Sequence, residues 1–299
     1  MFSILIPIYN FDVRQLVRDL QGQCDACGIG YEIVCFDDGS TAITKETNRE
    51  ISGLAHVFYK ELPENLGRSA IRNALGRAAR HDWLLFMDCD SRVVSAHFIK
   101  NYLEHKRAGT LVYGGRCYGA EPPSEPSLLF HWKYGSLREQ TTAAQRNRSP
   151  WHGFMTNNFL IERELFFKVG FDETLRQYGH EDTLFGLELA KRQVPILHID
   201  NPLEHIGLER VDVFLSKTEQ GLENLLRLWQ QGKPIETRLL RIFLKCRQWW
   251  LHVPLSWVFI FFAKPMVWQF KSKKPCLALF DVYKLCAMAY LYGSEKQNG

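Results

Sequence analysis

Trp83-Leu84-Leu85-Phe86-Met87-Asp88-Cys89-Asp90 runs five apolar residues straight into two carboxylates. A short apolar run of this kind reads as a buried strand, and the acids then stand at its carboxyl end. The same layout occurs twice upstream. Phe2–Pro7 (FSILIP) runs into Tyr9 and Asn10, and Tyr31–Phe36 (YEIVCF) runs into Asp37-Asp38-Gly39-Ser40. Ala55–Tyr59 reads as a further strand. The segments between carry helical spacing: Val13, Leu16, Val17 and Leu20 within Asp12–Cys27, then Thr41–Ser52, then Ala70, Ile71, Ala74, Leu75 and Ala78 within Leu66–Arg80. Strands alternating with helices predict a parallel sheet built from βαβ units. In such a sheet the carboxyl ends of the strands share one edge, where ligands bind. Asn10, Asp37, Asp38, Asp88 and Asp90 are therefore expected to converge. Converging carboxylates repel one another unless a cation or a donor-rich ligand joins them. Oxygen ligands of this kind suit Mg²⁺ or Mn²⁺, which keep waters and bridge to phosphates, so a nucleoside diphosphate is the natural occupant.

The rest of the chain extends this pattern. Helices are expected at Ala96–Arg107, Ser127–Gln145, Glu164–Val169 and Glu181–Arg192. Strands are expected at Tyr113–Gly119, Asn158–Ile161 and Pro195–Ile199, with a polar loop over Arg146–Asn158. Val211–Gln231 reads as an amphipathic helix, and Gly232-Lys233-Pro234 as a boundary. The fold class is α/β, a Rossmann-like, mostly parallel sheet flanked by helices. A catalytic domain is read over 1–232, with a nucleotide half to about 115 and an acceptor half from about 116. A helical extension is read over 233–299. Of the 299 residues 46% are hydrophobic and 23% charged, which excludes a largely disordered chain. Eight cysteines are too few for a disulfide scaffold, and free thiols in a reducing compartment are expected. No basic n-region or cleavage site opens the chain, so no signal peptide is expected.

Each acidic motif has a plainer reading. Asp-x-Asp occurs by chance in many chains, and Asp-Asp-Gly-Ser also makes a turn, with Ser40 or Thr41 capping the next helix. Asp182 opens a helix, where the dipole favours acids. The arrangement at successive strand ends is much harder to obtain by chance. Trp151-His152-Gly153-Phe154-Met155-Thr156-Asn157-Asn158 offers ring faces and amides of the kind sugars bind, so Trp151, His152 and Asn157 are read as sugar or acceptor contacts.

Six elements in one order give the chain a family resemblance. They are Ile6-Pro7-Ile8-Tyr9-Asn10, Asp37-Asp38-Gly39-Ser40, Asn65-Leu66-Gly67 with Ala70-Ile71-Arg72-Asn73, Asp88-Cys89-Asp90, Gly170-Phe171-Asp172-Glu173, and Gly179-His180-Glu181-Asp182. Over roughly residues 2–232 the sequence resembles the family-2 glycosyltransferases, with their GT-A fold. The resemblance implies an inverting, metal-dependent transfer of a sugar from a nucleoside-diphosphate donor, with uridine favoured. It implies that Pro7, Tyr9, Asn10, Asp37, Asp38, Arg72 and Asp88 serve the nucleotide. Asp90 and His205 would serve Mn²⁺ or Mg²⁺, Asp182 would be the general base, and Glu181 would lie beside it. Other readings are a sugar-nucleotide nucleotidyltransferase, which would usually carry a Gly-rich basic loop in place of Tyr9-Asn10-Phe11-Asp12, and a non-catalytic binding module. The acceptor implied is a glycan or lipid-linked glycan, in cell-surface polysaccharide assembly.

Charge is unevenly distributed. Residues 233–299 carry 11 Lys+Arg against 3 Asp+Glu. Trp249, Trp250, Trp257 and Trp268 interleave there with Arg238, Arg241, Lys245, Arg247, Lys264, Lys271, Lys273 and Lys274. The charge-free stretch Val253–Ala263, bracketed by Pro254 and Pro265, is too short to cross a bilayer. The pattern over 238–292 therefore predicts a helix in the interface of an anionic membrane. The competing reading is a packed subdomain or homo-oligomer contact. No nucleic-acid-binding module is found. A cytoplasmic chain, peripheral on the inner face of the plasma membrane, is the expectation.

Overall fold

The computed structural model describes residues 1–175 and 179–298. Ten strands occur among them: β1 (Phe2–Ile8), β2 (Tyr31–Asp37), β3 (Val57–Glu61), β4 (Trp83–Met87), β5 (Ser91–Val93), β6 (Leu111–Tyr113), β7 (Arg116–Cys117), β8 (Asn158–Glu162), β9 (Ile196–His198) and β10 (Leu203–His205). Seven form one sheet in the order β3-β2-β1-β4-β8-β6-β9. All neighbours are parallel except at β8, which runs antiparallel to both β4 and β6. The chain steps outward from β1 to β3 and then returns to the other side of β1 at β4. That reversal is the topological switch point, where an open sheet leaves a crevice. β5, β10 and β7 form a separate small sheet, with β10 in the middle.

The strand period sorts side chains into two cores. Phe2, Ile4, Ile6 and Ile8 face the layer holding Val13, Leu16, Val17 and Leu20 of the helix Arg14–Ala26. Leu5, Val34, Phe36 and Phe86 face the other layer, with Ile71 and Leu75 of the helix Arg68–Ala78. Helices therefore cover both faces, as apolar strands require. Pro7 is tolerated in a central strand because pairing with β4 ends at Leu5. Phe86 packs at 4.9 Å on both Phe159 and Phe166. Phe86→Ala is expected to cost about 3–5 kcal/mol, read as a lowered urea midpoint.

All eight cysteines are free. Burial, above all, pushes the Cys24 thiol up to about 12, so Cys24 makes no reactive thiolate.

The chain forms two compact units. The first takes in residues 1–119, 138–175 and 181–207, and the second chiefly 120–137 and 208–298. The break read at Gly232 thus lies inside the second unit. The helix Val211–Gln230 buries Val211 and Leu215 with Phe130, Met266, Phe270, Phe280 and Tyr283. A shift in charge marks surface, whereas an amphipathic helix goes where its apolar stripe is covered. The extension is helical as expected, at Arg238–Gln248, His252–Phe270 and Leu277–Asn298. Ser127–Gln145, read as one helix, is instead broken, with α-helix only at Leu129–Tyr134 and Ala143–Arg146.

Candidate active site

Everything in the site belongs to the first unit. β1, β2 and β4 end side by side, so Tyr9, Asp38 and the Asp88–Asp90 pair share one edge of the sheet. Tyr9 is 55% exposed there. Asn10 adopts φ 51°; its N–H donates to Ser40 Oγ, and its side-chain oxygen accepts from the Thr41 N–H at 2.8 Å. Asn10 thereby ties the end of β1 to the loop after β2. Thr41, not Ser40, caps the helix Ala42–Asn48.

Asp38 is buried, and both its oxygens accept backbone N–H groups, from Leu66 at 2.7 Å and Gly67 at 3.2 Å. Burial raises its pKa, and those two donors oppose the rise. Gly39 passes so close to this turn that a Cβ would sit 2.8 Å from the Asn65 nitrogen, and its φ of +77° also demands glycine. Asp37 is fully buried, with Oδ1 accepting from the Ser40 N–H and Oδ2 facing the Tyr59 hydroxyl, so it shapes the loop after β2.

Asp88 is clamped by two guanidiniums. Arg72 Nη2 lies 2.6 Å from Oδ1, and Arg116 Nη2 lies 3.3 Å from Oδ2. Arg116 also pairs with Glu139 at 3.2 Å, and Tyr118 hydroxyl donates to that same carboxylate. Arg116 Nε is shielded from solvent with no hydrogen-bond partner. Arg116, Tyr118 and Glu139 were invisible in the sequence: they fall where periodicity loosens. Arg116→Leu would strip Glu139 of its guanidinium partner and leave Asp88 with Arg72 alone. It is expected to cost about 3–5 kcal/mol by chemical denaturation.

Asp90 begins the turn into β5, and His205 ends β10. The two strands pair antiparallel with His205 opposite Ser91. That register brings His205 Nδ1 to 3.4 Å from Asp90 Oδ1. Asp90 Oδ1 is shielded from solvent and makes no hydrogen bond of good geometry. Burial works against the Asp90 charge, but His205, and then Arg116, outweigh it and hold the carboxyl well below its ordinary range. Gly207 closes the cradle, because a Cβ there would meet Asp90 at 2.7 Å. One carboxylate and one imidazole fit Mn²⁺ or Mg²⁺ as a partial donor set. Among the described residues no three His, Cys, Asp or Glu side chains group to hold a metal.

Glu181 and Asp182 open the helix Glu181–Lys191. Glu181 is buried and pairs with Arg68 Nη1 at 3.0 Å. Burial opposes its charge, but Arg68 and Arg72 prevail and hold its pKa low. Asp182 goes the other way. Burial first, then the neighbouring Glu181 charge, push it up to about 6. The environment thus moves two adjacent carboxylates in opposite directions, Glu181 down and Asp182 up. Arg68 was missed, although it stands one helical turn before Arg72, and that spacing is its signal.

The acceptor loop is corrected in part. Asn157 is buried; its side chain accepts from Tyr113 hydroxyl and its carbonyl from the Asp88 N–H at 3.1 Å, so it supports the acidic turn from beneath. Trp151 donates its indole N–H to the Val194 carbonyl and leaves 38% of its surface exposed. His152 is exposed. His198 is buried between Arg146 Nε and the Pro150 carbonyl. Burial lowers its pKa to about 4, which keeps it neutral and structural.

A parallel sheet with an acidic turn at its switch point, a carboxylate–histidine pair and a flanking acidic helix start defines a GT-A-type α/β domain. The model of Glycosyl transferase family 2 matches residues 3–170, and the chain belongs to that family. Two curated relatives are an uncharacterized glycosyltransferase, YfnE, of Bacillus subtilis, 23% identical over 67% of this chain and 65% of its own length, and a validoxylamine A glucosyltransferase of Streptomyces hygroscopicus, 27% identical over 66% and 49%. The chain thus spans about half to two thirds of those relatives. Among solved structures, the mannosyltransferase PcManGT of Pyrobaculum calidifontis, in complex with GDP-Man and Mn²⁺, superposes with a TM-score of 0.55. It is 15% identical, covering 99% of this chain and 86% of that one. The glucosyl-3-phosphoglycerate synthase of Mycobacterium tuberculosis, with Mn²⁺, UDP and phosphoglyceric acid, gives 0.51 at 14% identity over 80% of each chain. At these identities the likeness is one of fold.

Proposed function

We propose that the chain is an inverting glycosyltransferase that moves a sugar from a uridine-diphosphate donor to a hydroxyl of a glycan or lipid-linked glycan. The observation that carries this is the split between Glu181 and Asp182. A half-buried carboxylate with its pKa raised to about 6, beside a neighbour whose pKa is held low, is suited to take a proton at neutral pH. The acceptor hydroxyl attacks the anomeric carbon as the bond from that carbon to the diphosphate oxygen breaks. The proton passes to Asp182 and the bonding pair leaves with the nucleoside diphosphate. One displacement inverts the anomeric centre, and no second carboxylate is needed as nucleophile.

Asp90 and His205 would hold Mn²⁺ or Mg²⁺, which when bound supplies neutralisation of the charge growing on the leaving diphosphate. Tyr9 offers its ring to the base, with Pro7 beside it. Asp38 keeps one lone pair on each oxygen beyond its two backbone donors, enough to accept the imide N–H of uracil. Arg72 holds Asp88 at the ribose side. Trp151 and His152 offer exposed rings to sugar. Support for the reading comes from the family, from a glucosyltransferase among the relatives, and from fold neighbours solved with Mn²⁺ and nucleotides. A chondroitin synthase of Escherichia coli, 24% identical over 63% of this chain and 32% of its own length, supports a polysaccharide acceptor.

The test is calorimetric titration with UDP, GDP and dTDP, with and without Mn²⁺. UDP is expected to bind most tightly and only strongly with metal. Failure of every nucleotide to bind would overturn the reading.

A further inference from the structure

The helix His252–Phe270 has two unlike faces. Phe259, Ala263, Met266 and Phe270 pack into the second unit's core with Phe130, Phe280 and Tyr283. The opposite face is open. Val253, Trp257, Ile260, Phe261, Lys264 and Trp268 follow i, i+4, i+7, i+8, i+11 and i+15, which is one stripe along the helix. Trp257 is 56% exposed, Phe261 65% and Trp268 74%. Trp249 and Trp250, just before the helix, are exposed as well. So long an uncovered aromatic stripe marks an interaction surface. Its flanks are basic: Arg241 and Lys245 precede it, Lys264 sits on it, and Lys271, Lys273 and Lys274 follow it.

By length and composition this helix is able to cross a membrane, and little of it is buried. It also runs unbroken through Pro265, which corrects the reading that the apolar stretch is too short. The packing decides between crossing and lying flat. Its covered face rests on the helix Leu277–Asn298, which carries the Asp281–Lys284 pair and donates from Tyr283 hydroxyl to Glu219. Lys271, at the helix end, pairs with Asp212 at 2.6 Å. A transmembrane pose would either strip that core or carry these charges into hydrocarbon.

We propose that this stripe docks the chain on an anionic lipid bilayer, with the helix lying in the plane of the interface. Trp257, Phe261 and Trp268 sink among the headgroups, and Lys264, Lys273 and Lys274 meet anionic phosphates. This gives the chain a peripheral place on the inner, anionic face of the plasma membrane. The inference is independent of the sugar chemistry above.

The experiment is flotation of the full chain with phosphatidylcholine vesicles and with vesicles of equal phosphatidylcholine and phosphatidylglycerol. The mixed vesicles are expected to carry the protein up, and 0.5 M salt to release most of it. The triple variant Trp257→Ser, Phe261→Ser, Trp268→Ser should lose about tenfold or more in partitioning. The altered side chains are exposed, so its thermal unfolding should match the parent, which separates lost docking from lost folding. Failure of the parent to float would overturn the proposal. So would membrane binding that survives both salt and carbonate, which means crossing. A dimer in sedimentation velocity that the triple variant abolishes would also overturn it, since the stripe would then bind a second copy.

Discussion

Asp182→Asn is expected to lower kcat about 10²–10⁴-fold while leaving UDP affinity and thermal stability in place. An amide keeps the hydrogen bond to Thr183 as far as shape allows, but takes no proton. The pH profile carries the sharper signature. Burial and the Glu181 charge raise the Asp182 pKa to about 6. The group is then protonated and idle below that value and ionised above it. The rate should climb as pH rises through about 6 and then level. Glu181→Gln removes the like charge and should move that inflection to lower pH. Arg68→Gln removes an opposing cation and should move it higher. A profile flat from pH 5 to pH 8 in the parent would remove Asp182 from the base role.

Asp90→Ala is expected to abolish the Mn²⁺-dependence of UDP binding and to lower turnover about 10²–10³-fold. His205 alone offers one nitrogen, too few donors to hold a hard cation beside an anionic ligand. Titration of UDP with and without Mn²⁺ separates this from misfolding, because the metal-free affinity should match the parent. An unchanged response to Mn²⁺ in the variant would mean that the cation is held elsewhere.

The sheet was legible because its strands are long apolar runs. β1, β2 and β4 appear within a residue or two of where the sequence places them, and the acids at their ends meet as topology requires. The small sheet was not legible, since strands of two or three residues carry no period to read. The site divides the same way. Asp88, Asp90 and Asp182 stand out in the sequence because an acid after an apolar run, or at a helix start, is a local pattern. Asp37 and Asn157 are buried and bonded within the protein, and a polar side chain at a strand end shows the same sequence pattern whether it serves a ligand or the backbone. Arg116 and Glu139 act through pairing across the fold, and nothing adjacent to them in sequence announces it.

The pairing of β5 with β10 has a consequence for how the molecule matures. Asp90 lies early in the chain, and His205 is made only after β6, β7, β8 and β9. The carboxylate and the imidazole therefore meet only when nearly the whole first unit has been synthesised and folded, a closure of high sequence separation. A truncated or half-folded chain would keep the acidic turn but lack the cradle, so the proposed Mn²⁺-dependent binding of nucleotide should appear only once the first unit is complete and would then serve as a readout of its folding.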